Sequence, residues 1–327
     1  MKETIVVTGG AGFIGSALIW RLNQMGEDNI LIVDSLGGSE KWRNIAGLRF
    51  ADYMEKDDFL QEVLSGDIPD SITTIFHFGA CSSTTEGDLR YLIKNNYEYS
   101  KTLAEYALGA GLRLIYASSA ATYGDGSGGY RDDEETIGNL RPMNAYGFSK
   151  QLFDLRARRE GWLEKMIGLK FFNVFGPNEY HKESMRSMAC KGFEQIRAKR
   201  KINLFHSYRD GYMDGEQDRD FIYIKDAVEM VIFIHQHPEL HGIYNIGSGS
   251  AQTWNTLAHA LFDVAGLRQQ IQYIPMPEEI KETYQYHTEA DMSKLRRAGY
   301  DKPVTPLPEA VADYVKEYLQ PGRYLNY

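Results

Sequence analysis

The chain has 327 residues, with 36 Lys and Arg against 45 Asp and Glu, for a formal charge of −9. Its 43% hydrophobic and 25% charged content excludes disorder, collagen-like repeats and a disulfide-dense miniprotein. An acidic balance without like-charge runs argues against bulk attraction to nucleic acid or an anionic membrane, and at ~150 residues per domain the length suits one large domain or two intimate ones.

The N-terminus runs from Met1 and Lys2 straight into an apolar run, too short for a signal peptide. No apolar stretch approaches the roughly 18 residues of a membrane span, so a soluble, cytoplasmic protein is expected. Five β-rich runs read as strands: Ile5 to Thr8, Ile30 to Asp34, Thr73 to Phe78, Arg113 to Ala117 and Gly168 to Phe172. Between them Ile14, Leu18, Leu22 and Met25 recur at helical spacing, as do apolar positions from Tyr91 to Leu108. This alternation predicts an α/β fold, a doubly wound parallel sheet with helices on both faces. Gly124 to Glu135, rich in glycine and acid, reads as a mobile, solvated loop. Beyond Phe172 the rhythm loosens. Helices are expected over Met185 to Arg200, Thr253 to Ala265 and Leu307 to Leu319, with a charged loop from Ser207 to Asp218. No linker is visible, so a smaller C-terminal lobe packed on the sheet is expected. The two cysteines, Cys81 and Cys190, lack metal-type spacing and read as idle thiols.

Thr8-Gly9-Gly10-Ala11-Gly12-Phe13-Ile14-Gly15 follows the first strand and opens the first helix. Gly9 and Gly12 allow a tight turn and close approach of a pyrophosphate, Gly15 allows close helix packing, and the helix N-terminus offers free N–H groups. Asp34 ends the next strand, where an acid bonds a ribose hydroxyl and favours NAD. Lys41 and Lys56 follow and could hold the 2′-phosphate of NADP, so this chemistry leaves the two cofactors open.

Tyr146 and Lys150 stand four apart, on one face of a helix. A nearby ammonium and an oxidised nicotinamide would lower the phenol's pKa and let Tyr146 act as a base. Ser119, at a strand end, would donate a hydrogen bond to the reacting oxygen. Alone, a Y-x-x-x-K or a strand-end Ser is commonplace. Together with the glycine loop they form one set.

With these features in place, the chain resembles the extended short-chain dehydrogenase/reductases of the nucleotide-sugar type. Its segments Phe78 to Thr85, Tyr116 to Gly124, Phe172 to Pro177, His181-Lys182 with Ser184, and Arg219 to Tyr223 resemble the ADP-L-glycero-D-manno-heptose 6-epimerase family. That resemblance implies a Rossmann domain, residues 1–172, and a substrate lobe, residues 173–327, with some elements crossing back to the sheet. It implies NADP as cofactor, with NAD possible, an ADP-heptose as substrate, and a homo-oligomer, a pentamer being suspected. The reaction implied supplies the heptose of the lipopolysaccharide inner core.

Residue by residue, the resemblance places Phe13, Ile14, Asp34, Ser35, Lys41, Lys56, Phe78, Gly79, Ala80, Cys81, Ser82, Asn95, Lys150 and Val174 at the cofactor. It places Asn173, Ser184, Phe205, His206, Ser207, Tyr208, Arg219 and Tyr284 at the substrate, and makes Tyr146 and Lys182 the two proton acceptors. Departures are Ser35 for Asn, Phe78 for an acid, and Lys191 at a position where a substrate-contacting His is expected. Read from charge alone, Lys182, Lys191, Arg219, Arg209 and His181 could face a diphosphate or lie on the surface. A UDP-hexose 4-epimerase is the alternative. A 4,6-dehydratase fits less well, because Ala120-Ala121-Thr122 stands where that class has an Asp-Glu pair. A non-catalytic dinucleotide sensor would have lost Tyr146, Lys150 or Ser119.

Overall fold

The structure is a computed structural model, and residues 2–326 are described; Met1 and Tyr327 lie outside them. Seven parallel strands form the central sheet in the order β10-β6-β5-β4-β1-β2-β3. They are β1 (Thr4–Thr8), β2 (Ile30–Asp34), β3 (Asp52–Glu55), β4 (Ile72–His77), β5 (Arg113–Ser119), β6 (Ile167–Phe171) and β10 (Gly242–Ile246). Ile5, Val6 and Val7 of β1 are all buried, because helices cover both faces and leave no polar side. The chain winds outward from β1 to β3, then restarts beside β1 at β4. The carboxyl ends of β1 and β4 therefore splay apart into a crevice.

Helix α1 (Phe13–Gln24) buries Phe13, Ala17, Leu18, Ile19 and Leu22 and packs on α7 (Ile224–Gln236). α2 (Lys56–Ser65) joins β3 to β4. The helix expected over Tyr91 to Leu108 is three pieces: α3 (Leu89–Leu92), a π-helical Ile93–Glu98, and α4 (Tyr99–Gly109). α5 (Ala145–Arg159) starts where Asn144 accepts the Gly147 N–H at 2.7 Å. In the second half, β7 (Asn173–Phe175) and β9 (Asp218–Tyr223) form a small sheet with β11 (Ala251–Thr253); β8 (Ile202–Phe205) pairs with β12 (Ile271–Ile274). α8 (Trp254–Ala265) packs on α6 (Met188–Lys199). β10 returns from this half to β6 in the central sheet.

Three expectations need correction. The helix predicted from Met185 begins at Met188, because Ser187 is extended and its hydroxyl accepts the Cys190 N–H; Tyr180–Met185 is a separate 3₁₀ turn broken at Glu183. The end of the last helix, Tyr314–Leu319, is π-helical. The Gly124–Glu135 loop is not simply solvated: Tyr130 and Asp132 are buried. The Asp132 and Glu134 carboxylates accept the backbone N–H groups of Asn245 and Ile243 on the free edge of β10. Unpaired edge N–H groups need such partners.

No helix among the described residues is long and apolar enough to cross a membrane.

Candidate active site

The crevice begins at the glycine loop. Gly9 has φ 69°, and a Cβ there would meet Gly79 N at 2.6 Å. A Cβ on Gly15 would meet Gly9 O at 2.2 Å. The loop is thus wedged between α1 and the end of β4. α1 has no side-chain cap and no acid in its first turn, leaving its first N–H groups for an anion.

A cavity of about 280 Å³ opens beside the loop, lined by Gly9, Asp34, Ser35, Lys41, Lys56, Gly79, Ala80, Cys81 and Asn95. Asp34 is more committed than its position suggested. One carboxylate oxygen accepts Ala11 N–H at 2.9 Å. The other accepts Ser35 N–H at 2.7 Å and the Lys41 ammonium at 2.5 Å. Its negative charge is paired with Lys41, and Lys56, also on the cavity wall, pairs with Asp57. This donor set fits an adenosine ribose, with or without a 2′-phosphate. Cys81 and Cys190 are free thiols, and burial pushes Cys190 up to about 12.

A second cavity of about 680 Å³ lies over the carboxyl ends of β5 and β6. Its walls bring together Phe13, Ile14, Phe78, Ala80, Ser82, Ser119, Tyr146, Lys150, Asn173, Val174, Lys182, Lys191, Phe205 and Tyr284. Ser119 is held by its own turn, accepting Ala121 N–H at 3.1 Å. Lys150 donates to Ala117 O at 2.8 Å, and burial brings it down to about 8. The expected lowering of Tyr146 by Lys150 is not found in the protein itself. Burial raises the phenol, and a hydrogen bond with Ser119 opposes that. Lys182 lies 5.6 Å above the Phe13 ring. Burial lowers its pKa, with Glu179 opposing, and among the described residues no carboxylate is within ion-pair distance of it. Lys191 donates to Ser184 O at 3.1 Å, and it too is lowered by burial.

Other candidates stand back from this wall. Arg219 is buried behind it, its guanidinium 5.0 Å from the Tyr284 ring and 5.5 Å from the Trp254 ring. Ser184 is exposed beside it. His206 and Ser207 N–H are drawn away by Asp214, at 2.7 Å each. Tyr208 is 52% exposed, under Lys281. The long loop folds on its own acid. Arg209 lies over Tyr212 and Tyr286. His181 is lowered to about 4 by burial, Lys41 and Lys182, which favours the neutral ring.

The model of the NAD dependent epimerase/dehydratase family matches residues 5–247. The chain belongs to that family. Within it, the chain is similar to the ADP-L-glycero-D-manno-heptose-6-epimerase of Nitratidesulfovibrio vulgaris, 51% identical over 96% of this chain and 97% of that one. The like-named protein of Fusobacterium nucleatum is 44% identical, over 96% and 98%. The crystal structure of the Helicobacter pylori ADP-L-glycero-D-manno-heptose-6-epimerase superposes with TM-score 0.81 at 27% identity, covering 97% of this chain and 96% of that one. A Thermus thermophilus UDP-glucose 4-epimerase shares the fold at 23% identity and TM-score 0.76, over 98% and 100%.

In this family member, residues missed from the sequence support the site from beneath. Asn96, in the π-helical segment, accepts Cys81 N–H at 2.8 Å, donates to Cys81 O at 3.0 Å, and donates to Ser149 on α5. Glu179 is buried and accepts from Ser187, Gly176 and Tyr314, fixing the loop that carries Lys182. No local pattern marks either; the π-helical segment, a common feature of functional sites, shows only in three dimensions.

Proposed function

We propose that this protein interconverts ADP-D-glycero-D-manno-heptose and ADP-L-glycero-D-manno-heptose by inverting C6″, supplying heptose for the lipopolysaccharide inner core. One observation carries the reading: two proton-transfer groups from separate elements, Tyr146 on α5 and Lys182 on the 176–187 loop, face one cavity beside Ser119 and Lys150. The likeness to epimerases of that name supports the substrate.

A dinucleotide, when bound along the glycine loop, supplies reversible oxidation of the carbinol carbon. The protein does the rest. Ser119 hydrogen-bonds the reacting oxygen and, with Tyr146, handles its proton in one orientation. Lys150 supplies positive charge next to the phenol. After the C6″ group turns over, its oxygen lies beyond reach of Tyr146, and Lys182 handles the proton. A lysine works as a base when part of it is neutral, which burial promotes here. Apolar Phe13, Phe78 and Val174 in the wall exclude water.

NADP is the proposed cofactor. Asp34, the residue that would repel a 2′-phosphate, is paired with Lys41, and Ser35 and Lys56 stand beside them. The protein is further proposed to work in the cytoplasm, as a homo-oligomer, with residues 173–327 as its substrate lobe. Incubation with ADP-D-glycero-D-manno-heptose should give the 6-epimer by NMR without net NADPH, and mass spectrometry of the released cofactor should find NADP. Turnover of UDP-galactose in place of ADP-heptose would overturn the assignment.

A further inference from the structure

Beneath the cavity lies an ion pair that the reaction does not touch. Asp154, 0% exposed, sits one turn after Lys150 on α5; Lys170, 1% exposed, is on β6. Lys170 Nζ donates to Asp154 Oδ2 at 2.8 Å and to Thr122 Oγ1 at 2.5 Å, and lies 5.0 Å above the Tyr123 ring. Thr122 Oγ1 donates in turn to the carbonyl of Ser119 at 2.8 Å. Ser118 and Tyr116, on β5, donate to the two Asp154 oxygens at 2.7 Å and 2.9 Å. Every partner is buried. Burying two charges costs more than well-packed apolar groups of similar size, so stability alone is a poor account of the pair. What its bonds join is α5, which carries Tyr146 and Lys150, β5, which ends at Ser119, the turn after Ser119, and β6.

We propose that Asp154 and Lys170 are positioning residues that hold the Ser119 turn against α5, and that the Asp154 carboxylate, one turn along the helix from Lys150, favours the cationic form of that lysine. The second role follows from what faces Lys150. Tyr146 and Asp154 face it from its own helix, the Ala117 carbonyl from β5, Cys81 from the loop after β4, and His77 from β4. His77 is neutral, and the Lys170 ammonium is bonded to Asp154. Asp154 is therefore the one carboxylate among these groups, and it opposes the burial that favours neutral Lys150.

The test rests on the epimerase reading only for its kinetic arm. In that arm, Asp154→Asn keeps the shape and removes the charge. The alkaline limb of kcat should move down by about one pH unit, whereas Lys170→Met, which keeps the Asp154 carboxyl and removes a cation, should hold it at or above the wild-type position. Thr122→Val should lower kcat about tenfold with the limb unmoved and KM nearly constant. The second arm needs no turnover: the Lys150 Nζ resonance, assigned by its loss in Lys150→Met, is titrated by ¹⁵N NMR in wild type and Asp154→Asn. Its midpoint should fall in the variant. If either single variant fails to fold, Asp154→Asn/Lys170→Met, which leaves neither of these charges buried, takes its place and should show a fall in the same direction, no larger than that of Asp154→Asn. An unmoved Lys150 midpoint overturns the proposal whatever the substrate. A moved midpoint without ADP-heptose turnover overturns only the substrate assignment.

Discussion

Tyr146 and Lys182 differ in what burial does to them. Burial makes a phenol a weaker acid and a lysine a weaker base, and here Tyr146 is raised and Lys182 lowered. Burial thus favours the neutral form of each, a phenol with a proton to give and an amine able to take one. Tyr146→Phe and Lys182→Met should each slow epimerisation by roughly 10²- to 10⁴-fold with little change in cofactor binding, and half-reaction tests should show them failing with opposite epimers. A Lys182→Met variant with raised KM and intact kcat would reduce Lys182 to a binding residue. At the other cavity, Lys41→Ala removes a cation and exposes the charge of Asp34 at the same time. NADP affinity should fall on the order of tenfold relative to NAD, read by fluorescence titration of both; an unchanged ratio would count against the NADP reading.

The glycine loop and the β10 edge show which elements can be read from a chain. Gly9, Gly12 and Gly15 recur every third residue between β1 and α1, so the strand–turn–helix was legible, and so was the reason for Gly15. Gly15→Ala would force its Cβ against Gly9 O at 2.2 Å. It should lose bound nucleotide on purification and cost about 1–3 kcal/mol in urea melts. The edge of β10 is the opposite case. Asp132 and Glu134 stand 113 and 109 residues from the N–H groups they satisfy, so an acidic, glycine-rich stretch read as solvated loop when its acids are edge caps. Asp132→Ala leaves the Asn245 N–H buried and unpaired, and should destabilise by about 1–3 kcal/mol while sparing KM; an unaffected melt would mean the edge is satisfied by other means. The Asp154–Lys170 pair, 16 residues apart, and the Ser207–Asp214 contact, 7 apart, are closer in sequence, yet neither lies within one helix or strand, so they too went unread. Sequence spacing reports neighbours along a helix or strand, and the site's outer contacts are made between elements.

At the scale of the whole molecule, stability and the cofactor cradle meet at His77. It is 3% exposed and ends β4 beside Thr8 of β1, its partner in the parallel ladder. Ser100 donates its hydroxyl to Asn96 O at 2.7 Å, so His77 Nε2–H must be the donor to Ser100 Oγ, 2.8 Å away. Nδ1 then accepts from Thr8 Oγ1 at 2.7 Å, and that same oxygen accepts Gly79 N–H. The arrangement has room for one ring proton. A second would face an oxygen whose own hydrogen points back at it, and burial lowers the imidazole to about 3. The folded value lies below the unfolded one of ~6.5. Its stabilising contribution is therefore complete above pH 6.5 and lost as pH falls toward 3. Between pH 6.5 and 5 the loss is about 2 kcal/mol. His181, also lowered, adds to the slope, while buried Glu179, raised, works against it. A comparison that isolates His77 is urea unfolding of wild type and His77→Gln at pH 7.5 and pH 5. The variant should be less stable at pH 7.5, and the gap should close by about 2 kcal/mol at pH 5. A gap that stays constant would show that His77 carries its proton inside the fold, and that the strand end beneath the glycine loop tolerates a charge.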